Sequence, residues 1–279
     1  MAKPFQRSPD PMNLPTVPDG SPLRKLAILR SSRWAIALGL FLALVVLPWV
    51  WLEVPIAPGD PAAYVTRPIH HPDGIGRFYQ GREIAQVMGH RGAGWLERPS
   101  RLWQEQPQVL VQQLGLQPTD QVADIGAGTG YLTFRLAAQV PQGQVWAVDV
   151  QPEMLEILGA LQQELGIDNV RSILGTDQDP RLPAASVDLV LLVDAYHEFA
   201  YPQEMMAAIA IALKPGGRVV LAEYRAEDPF VPIKGLHKMS EVQVKKELEF
   251  LGFHWLKTDE SLPQQHLIFF EKPFFENPA

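Results

Sequence analysis

The residues best suited to chemistry in this chain are one short run and four aspartates. Asp194-Ala195-Tyr196-His197-Glu198-Phe199 sets an imidazole among carboxylates. A histidine in that company titrates near neutral pH and suits acid–base work. Asp124, Asp149, Asp177 and Asp194 each end or closely follow a short apolar run. Just after Asp124 comes Gly126-Ala127-Gly128-Thr129-Gly130, and helical spacing resumes over Leu132 to Ala138. Glycine tolerates positive φ and lets a ligand approach the main chain. A helix starting there aims unpaired N–H groups back at the turn. Such a turn holds a nucleotide-like ligand, and an acid about 20 residues farther on, as Asp149 is, reads a ribose.

These residues need a scaffold that brings them together. Apolar runs predict strands ending at Ile125, over Val145 to Val150, Val170 to Leu174 and Val187 to Val193, and over Arg218 to Ala222. Helices are expected over Val109 to Leu114, from Pro152 to Leu165, and over Met205 to Leu213. The last of these should stop at Lys214-Pro215-Gly216-Gly217. Ser240 with Gln243 forms a capping box for a helix to Leu251. Phe253 to Thr258 and His266 to Lys272 then form a hairpin. Alternating strands and helices imply an α/β, doubly wound, mostly parallel sheet. Ligands of such sheets bind beyond the C-terminal strand ends, where the four aspartates fall.

DIGAGTG, the acid closing the second strand, the acid after VDLVLLV and the LKPGG before a strand together resemble the class I S-adenosylmethionine (SAM)-dependent methyltransferases. The resemblance spans roughly residues 105 to 272. The dehydrogenase turn reads G-x-G-x-x-G, whereas here the glycines alternate, which favours SAM over NAD. The resemblance implies a seven-stranded Rossmann-like sheet with an antiparallel last strand. It implies that Asp124 orients the amino-acid end of SAM and that Gly126, Ala127, Gly128 and Gly130 wrap the ligand. Asp149, with Val150, would take the ribose and Asp177 the adenine, and Asp194 would complete the contacts. His197 would serve as base toward a small-molecule methyl acceptor, oriented by Glu198. The competing reading of both is as loop residues bonded to backbone. A metal site from Asp194, His197 and Glu198 is a competing reading, but no zinc-type ligand spacing is present and the family mostly lacks metal, so none is expected. A catalytically silent SAM-fold binding module at the membrane is the competing function.

Composition narrows the field. The chain has 279 residues, a net charge of −7 and no cysteine. Disulfides, thiolate metal sites and cysteine nucleophiles are excluded. No basic block lies near the site, so a nucleic-acid groove is not expected. Residues 1–33 read as a disordered basic leader. Trp34 to Leu52 carries no charge and has tryptophan at both ends. As a helix it would rise about 28 Å, close to a bilayer's hydrocarbon thickness, so a transmembrane helix or signal anchor is expected. A cleaved signal peptide competes, with Pro61-Ala62-Ala63 as a possible cleavage region. Arg24, Lys25, Arg30 and Arg33 precede the run, while Glu53 and Asp60 follow it. That bias places the main domain on the periplasmic side, in conflict with a cytoplasmic cofactor.

Residues 53–104 read as a tether and helical lead-in to the domain at 105–279. The stretch HHPDGIGRFYQGREIAQVMGHRGAGWLERPSR is too rich in His, Arg and aromatic residues for a linker. It resembles the lead-in of a bacterial, membrane-anchored or exported methyltransferase subgroup. Ile84, Val87 and Met88 suggest a helix there. Tyr79, Arg82 and His90 are expected to close over the cofactor and face His197 across the acceptor site, with Arg82 meeting the SAM carboxylate or an acidic acceptor.

Overall fold

The computed structural model describes residues 64–272. The apolar run 34–52 and the leader before it lie outside the described residues. Among the described residues, no helix is long and apolar enough to cross a membrane.

The main sheet has seven strands. In chain order these are β4 (Gln121–Ile125), β5 (Gln144–Asp149), β6 (Val170–Leu174), β7 (Val187–Val193), β8 (Leu213–Tyr224), β9 (His254–Asp259) and β10 (Gln265–Glu271). They lie in the order β6-β5-β4-β7-β8-β10-β9. Strands β4 to β8 pair in parallel, and β10 runs antiparallel between β8 and β9. The central runs are apolar without alternation because both faces are covered. Leu189 and Leu191 face one core, and Val190 and Leu192 the other. The chain leaves β4 toward β5 on one side and returns through β7 on the other. That reversal opens a crevice at the C-terminal end of β4.

Helices cover the sheet as alternation requires. Those used below are α1 (Ala93–Leu96), α2 (Arg101–Gln104), α3 (Pro107–Gln113), α4 (Thr133–Gln139), α5 (Pro152–Leu165), α6 (Pro202–Ala212) and α7 (Glu241–Phe250). Proline opens α5 at its first turn, and Gly166 closes it in the left-handed region. Ser240 caps α7 by accepting the Gln243 N–H at 3.1 Å. The helix stops as expected, at Ala212, and β8 begins at once at Leu213, earlier than expected, running through Lys214–Gly217 with a register shift against β7 between Val187 and Leu189. A bulge accommodates the Pro-Gly-Gly step that reads as a stop in sequence.

The lead-in is not the helix expected from its spacing. It forms a small antiparallel sheet of β1 (Tyr64–Thr66), β2 (Gly74–Tyr79) and β3 (Arg82–Ala85). Gln80 and Gly81, at φ 49° and 93°, make the two-residue turn that pairs Tyr79 with Arg82. Turns with both central residues at positive φ suit hairpins because their twist matches the strands. Gln-Gly is not the usual Asn-Gly or Asp-Gly signal, so the helical spacing of Ile84, Val87 and Met88 misleads.

This sheet is bolted to the main domain by a buried ion pair. Arg82 reaches Glu247 on α7 through two parallel bonds of 2.8 and 3.0 Å, and Glu247 is fully buried. Truncating one partner strands the other charge, which costs about 3–5 kcal/mol. We therefore expect Glu247→Ala to lower unfolding free energy by about that much in urea titration. A loss below about 1 kcal/mol would mean the pair is solvated and unimportant.

Candidate functional site

The site begins at the turn after β4. Gly126 and Ala127 donate their N–H groups to the Val148 carbonyl on β5, at 2.8 and 3.0 Å. The Gly128 N–H donates to Asp149 Oδ2 at 2.9 Å, and the Gln151 N–H to Oδ1 at 2.9 Å. The turn is thus stitched to the end of the next strand. Gly126 and Gly128 have φ of 77° and 55°. A Cβ on Gly126 would lie 2.8 Å from that of Ala195, and one on Gly128 would lie 2.6 Å from Leu96 Cδ1. Side chains are barred at both positions by conformation and by space.

Beside this turn lies a cavity of about 490 Å³ with mainly apolar walls. Gly126, Gly128, Asp149, Val150, Asp177, Asp194, His197 and Glu198 all line it, as the sequence leads one to expect. The lead-in contributes Val87, Met88, Trp95, Leu96 and Arg98. Glu97 also accepts a hydrogen bond from the Thr129 hydroxyl on the glycine turn.

Several expected residues stand elsewhere. Asp124 is buried beneath the turn, bonded to the Thr133 hydroxyl at 2.6 Å, and is not on the cavity wall. Ala127 packs into the core, and Gly130 lies behind the wall. Tyr79 is buried in the small sheet against Ile84 and Tyr64. Arg82 spends its guanidinium on Glu247 and on the His197 carbonyl, at 3.0 Å. Neither lines the cavity, because a strand and not a helix carries them. His90 is also off the wall; its N–H donates to Gln151 Oε1 at 2.8 Å.

His197 also stands on the cavity wall. Its Nδ1 lies 2.6 Å from Glu223 Oε2, and both side chains are buried. Its Nε2 lies 3.2 Å from His237 Nδ1. The expected orienting group, Glu198, is displaced from that role: it accepts the Met88 N–H at 3.2 Å and approaches His197 Nε2 only to 3.8 Å. Glu223 performs the orienting instead, anchored by the Tyr196 N–H at 3.1 Å. It ends an apolar run on β8, the same signal that marks the four aspartates. His237 sits in the loop before α7, where no sequence pattern points to it.

The electrostatics set the character of the cavity. Burial raises Asp194 well above the usual carboxylate range, reinforced by Glu105 and Glu223. Its Oδ2 accepts from Gln265, while Oδ1 is buried without a partner among the described residues. Burial also raises Asp149, against hydrogen bonds from Gln151 and Gly128. Burial lifts Asp124 to about 6, partly offset by Thr133. Burial opposes a charged ring at His197, yet the charge and hydrogen bond of Glu223 leave its pKa raised. Under-compensated acids around a mainly apolar chamber suit a cationic ligand with an apolar body.

Residues 122–217 match the methyltransferase domain family. An uncharacterized methyltransferase of Bacillus subtilis is 34% identical over 109 residues, covering 39% of this chain and 42% of that protein. A tRNA U34 carboxymethyltransferase of Desulfotalea psychrophila is 32% identical over 127 residues, 44% of this chain and 37% of that one. A ubiquinone/menaquinone biosynthesis C-methyltransferase of Burkholderia cenocepacia is 29% identical over 153 residues, 54% of this chain and 60% of that one. The chain spans about half or less of the length of the first curated relatives it matches. A SAM-dependent methyltransferase from Aquifex aeolicus has the same fold, with TM-score 0.64 and 24% identity over 67% of this chain and 100% of that one. S-adenosyl-L-methionine is the cofactor of this domain. The site fits it: a glycine cradle without room for side chains, an acid bonded to that cradle, and the orphaned Asp194 oxygen beside a cavity of suitable character.

Two outcomes follow. Asp149→Ala should weaken SAM binding about ten- to hundredfold in calorimetry, since charge-assisted bonds worth roughly 1.5–3 kcal/mol are lost; unchanged affinity would refute the ribose assignment. Asp124 has a folded pKa above its unfolded value, so its contribution to stability is present below about pH 4 and is lost as pH rises through about 6. Asp124→Asn should therefore flatten the fall in melting temperature between those values, and an unaltered pH profile would show that Asp124 is not raised.

Proposed function

We propose that the chain is a SAM-dependent methyltransferase acting on a small molecule with an apolar body and a hydroxyl or amine to be methylated. The observation that carries this reading is the buried His197–Glu223 pair, whose histidine lines the same cavity as Gly126, Gly128 and Asp149. When bound, SAM supplies an electrophilic methyl group on a sulfonium. The chain's own task is alignment, exclusion of water and handling of the acceptor's proton. Asp149 and the glycine turn hold the nucleoside part. Met88, Trp95 and Leu96 close the chamber from the lead-in side. In the tautomer whose Nδ1–H donates a hydrogen bond to Glu223, His197 keeps a lone pair on Nε2, the nitrogen nearer His237. That lone pair is what addresses the acceptor, and Arg82 steadies the loop through the His197 carbonyl.

A small apolar acceptor accords with the cavity walls and with the chain's net charge of −7. It also accords with the quinone-biosynthesis relative. A catalytically silent module would have no use for a buried histidine–glutamate pair beside the cavity.

The test is conversion of SAM to S-adenosylhomocysteine in the presence of a low-molecular-weight cell extract. Glu223→Gln and His197→Asn should each lower the rate about 10²- to 10⁴-fold while SAM affinity changes less than about threefold. Full activity in either variant would remove the pair from the mechanism.

We further propose that residues 34–52 anchor the chain in a membrane, supported by their apolar length, tryptophan ends and preceding basic residues. The same charge bias is the reason to place the domain on the periplasmic side. Alkaline carbonate should leave the full-length protein in the membrane pellet. Release into the supernatant would contradict the anchor.

A further inference from the structure

The acceptor end of the cavity holds more than a base. Three atoms converge there: His197 Nε2, His237 Nδ1 and a carboxylate oxygen of Glu198. Their separations are 3.2 Å between the two nitrogens, 3.4 Å from His237 to Glu198, and 3.8 Å from His197 to Glu198. Ligand atoms about 2.0–2.1 Å from a tetrahedral ion lie roughly 3.3 Å apart, so this triangle is close to one face of a coordination shell. From these atoms we infer that His197, His237 and Glu198 bind one divalent transition-metal ion of the kind imidazole prefers, zinc or iron(II), at the acceptor end of the cavity.

Three features support the assignment independently of the spacing. His197 offers Nε2 because its other nitrogen is bonded to Glu223, the carboxylate–histidine arrangement that fixes tautomer and ring direction in metal sites. Glu198 is steadied by the Met88 N–H, so its carboxylate is held near the histidines. All three residues line the cavity, so coordination positions left open are accessible to an acceptor. Two histidines and one carboxylate with open positions form a catalytic and not a structural type of metal set. The two imidazole rings stand edge to face with centroids 5.1 Å apart.

This inference rests on the methyltransferase reading only for what the ion would do. With the metal in place, the Nε2 lone pair belongs to the ion, and the ion takes over from the imidazole in addressing the acceptor. Held by His197, His237 and Glu198, it would acidify an acceptor hydroxyl bound through oxygen; the O–H bond breaks with its proton passing to water, the oxygen forms a bond to the SAM methyl carbon as the S–CH3 bond breaks, and S-adenosylhomocysteine leaves. The acceptor class is therefore an alcohol or phenol.

The experiment is titration of the metal-stripped full-length protein, in detergent, with Zn²⁺ by calorimetry and with Co²⁺ by visible absorption. SAM binding is measured on the same samples. One ion per chain is expected, with cobalt bands of nitrogen and oxygen coordination. His237→Ala and Glu198→Ala should each weaken Zn²⁺ binding at least about tenfold, while His254→Ala, an exposed histidine on β9, leaves it unchanged. His237 is partly exposed in a loop, and its variant is checked for unaltered melting before titration. No saturable binding, or equal binding by wild type, His237→Ala and Glu198→Ala, would overturn the inference. SAM binding without metal binding would do the same and leave the methyltransferase reading intact. Metal binding without SAM binding would sink that reading and leave the metal site standing.

Discussion

The hydrogen bond from the Gly128 N–H to Asp149 is the contact on which the cofactor side depends. It joins the turn after β4 to the acid that ends β5, and two further N–H bonds to the Val148 carbonyl close the same seam. The geometry works only because the turn can run at positive φ, which the glycines permit. The Asp149 carboxylate and the backbone cradle are thereby made into one rigid unit. The cost is a carboxylate taken out of water, and burial raises Asp149 accordingly. Asp194 carries the same burden on the neighbouring strand end, with one oxygen unmatched. A cationic ligand relieves this stress, which makes binding and local stability aspects of one arrangement.

The acceptor side depends on contacts made far from the reacting atoms. Arg82 spans from Glu247 on α7 to the His197 carbonyl, so the small sheet and the histidine loop are fixed by one side chain. From beyond β3 the chain continues through Met88, whose N–H holds Glu198, to Leu96 over the glycine turn. The lead-in thus meets both the histidine loop and the glycine turn. Its role as a wall is real, but it is carried out by Met88, Trp95, Leu96 and Arg98, while Tyr79 and Arg82 brace it from behind.

Much of this was legible in the sequence for definite reasons. Parallel strands buried on both faces read as unbroken apolar runs, and acids at their ends stand out against them. Asp149, Asp177, Asp194 and His197 were found that way, and all four line the cavity. Glu223 carries the same signal at the end of the apolar run on β8, but its role depends on the tertiary contact with His197, which spacing does not show. His237 had no signal, since a loop residue meets its partners only through tertiary packing. The hairpin at Gln80–Gly81 was hidden by a weak turn dipeptide and an apolar spacing that fits a helix equally well. Asp124 was placed correctly along the chain but on the wrong side of the turn, because spacing does not tell which face of a strand end a carboxylate takes.

The central claim is that the glycine turn, the end of β5 and the lead-in enclose one SAM molecule. Hydrogen-exchange mass spectrometry of the full-length protein with and without SAM tests it most directly. Saturating SAM should slow exchange in peptides covering residues 87–105, 126–131 and 149–155, and leave β9 and β10 unchanged. Exchange at the glycine turn that is indifferent to SAM, or protection confined to segments outside the cavity, would contradict it.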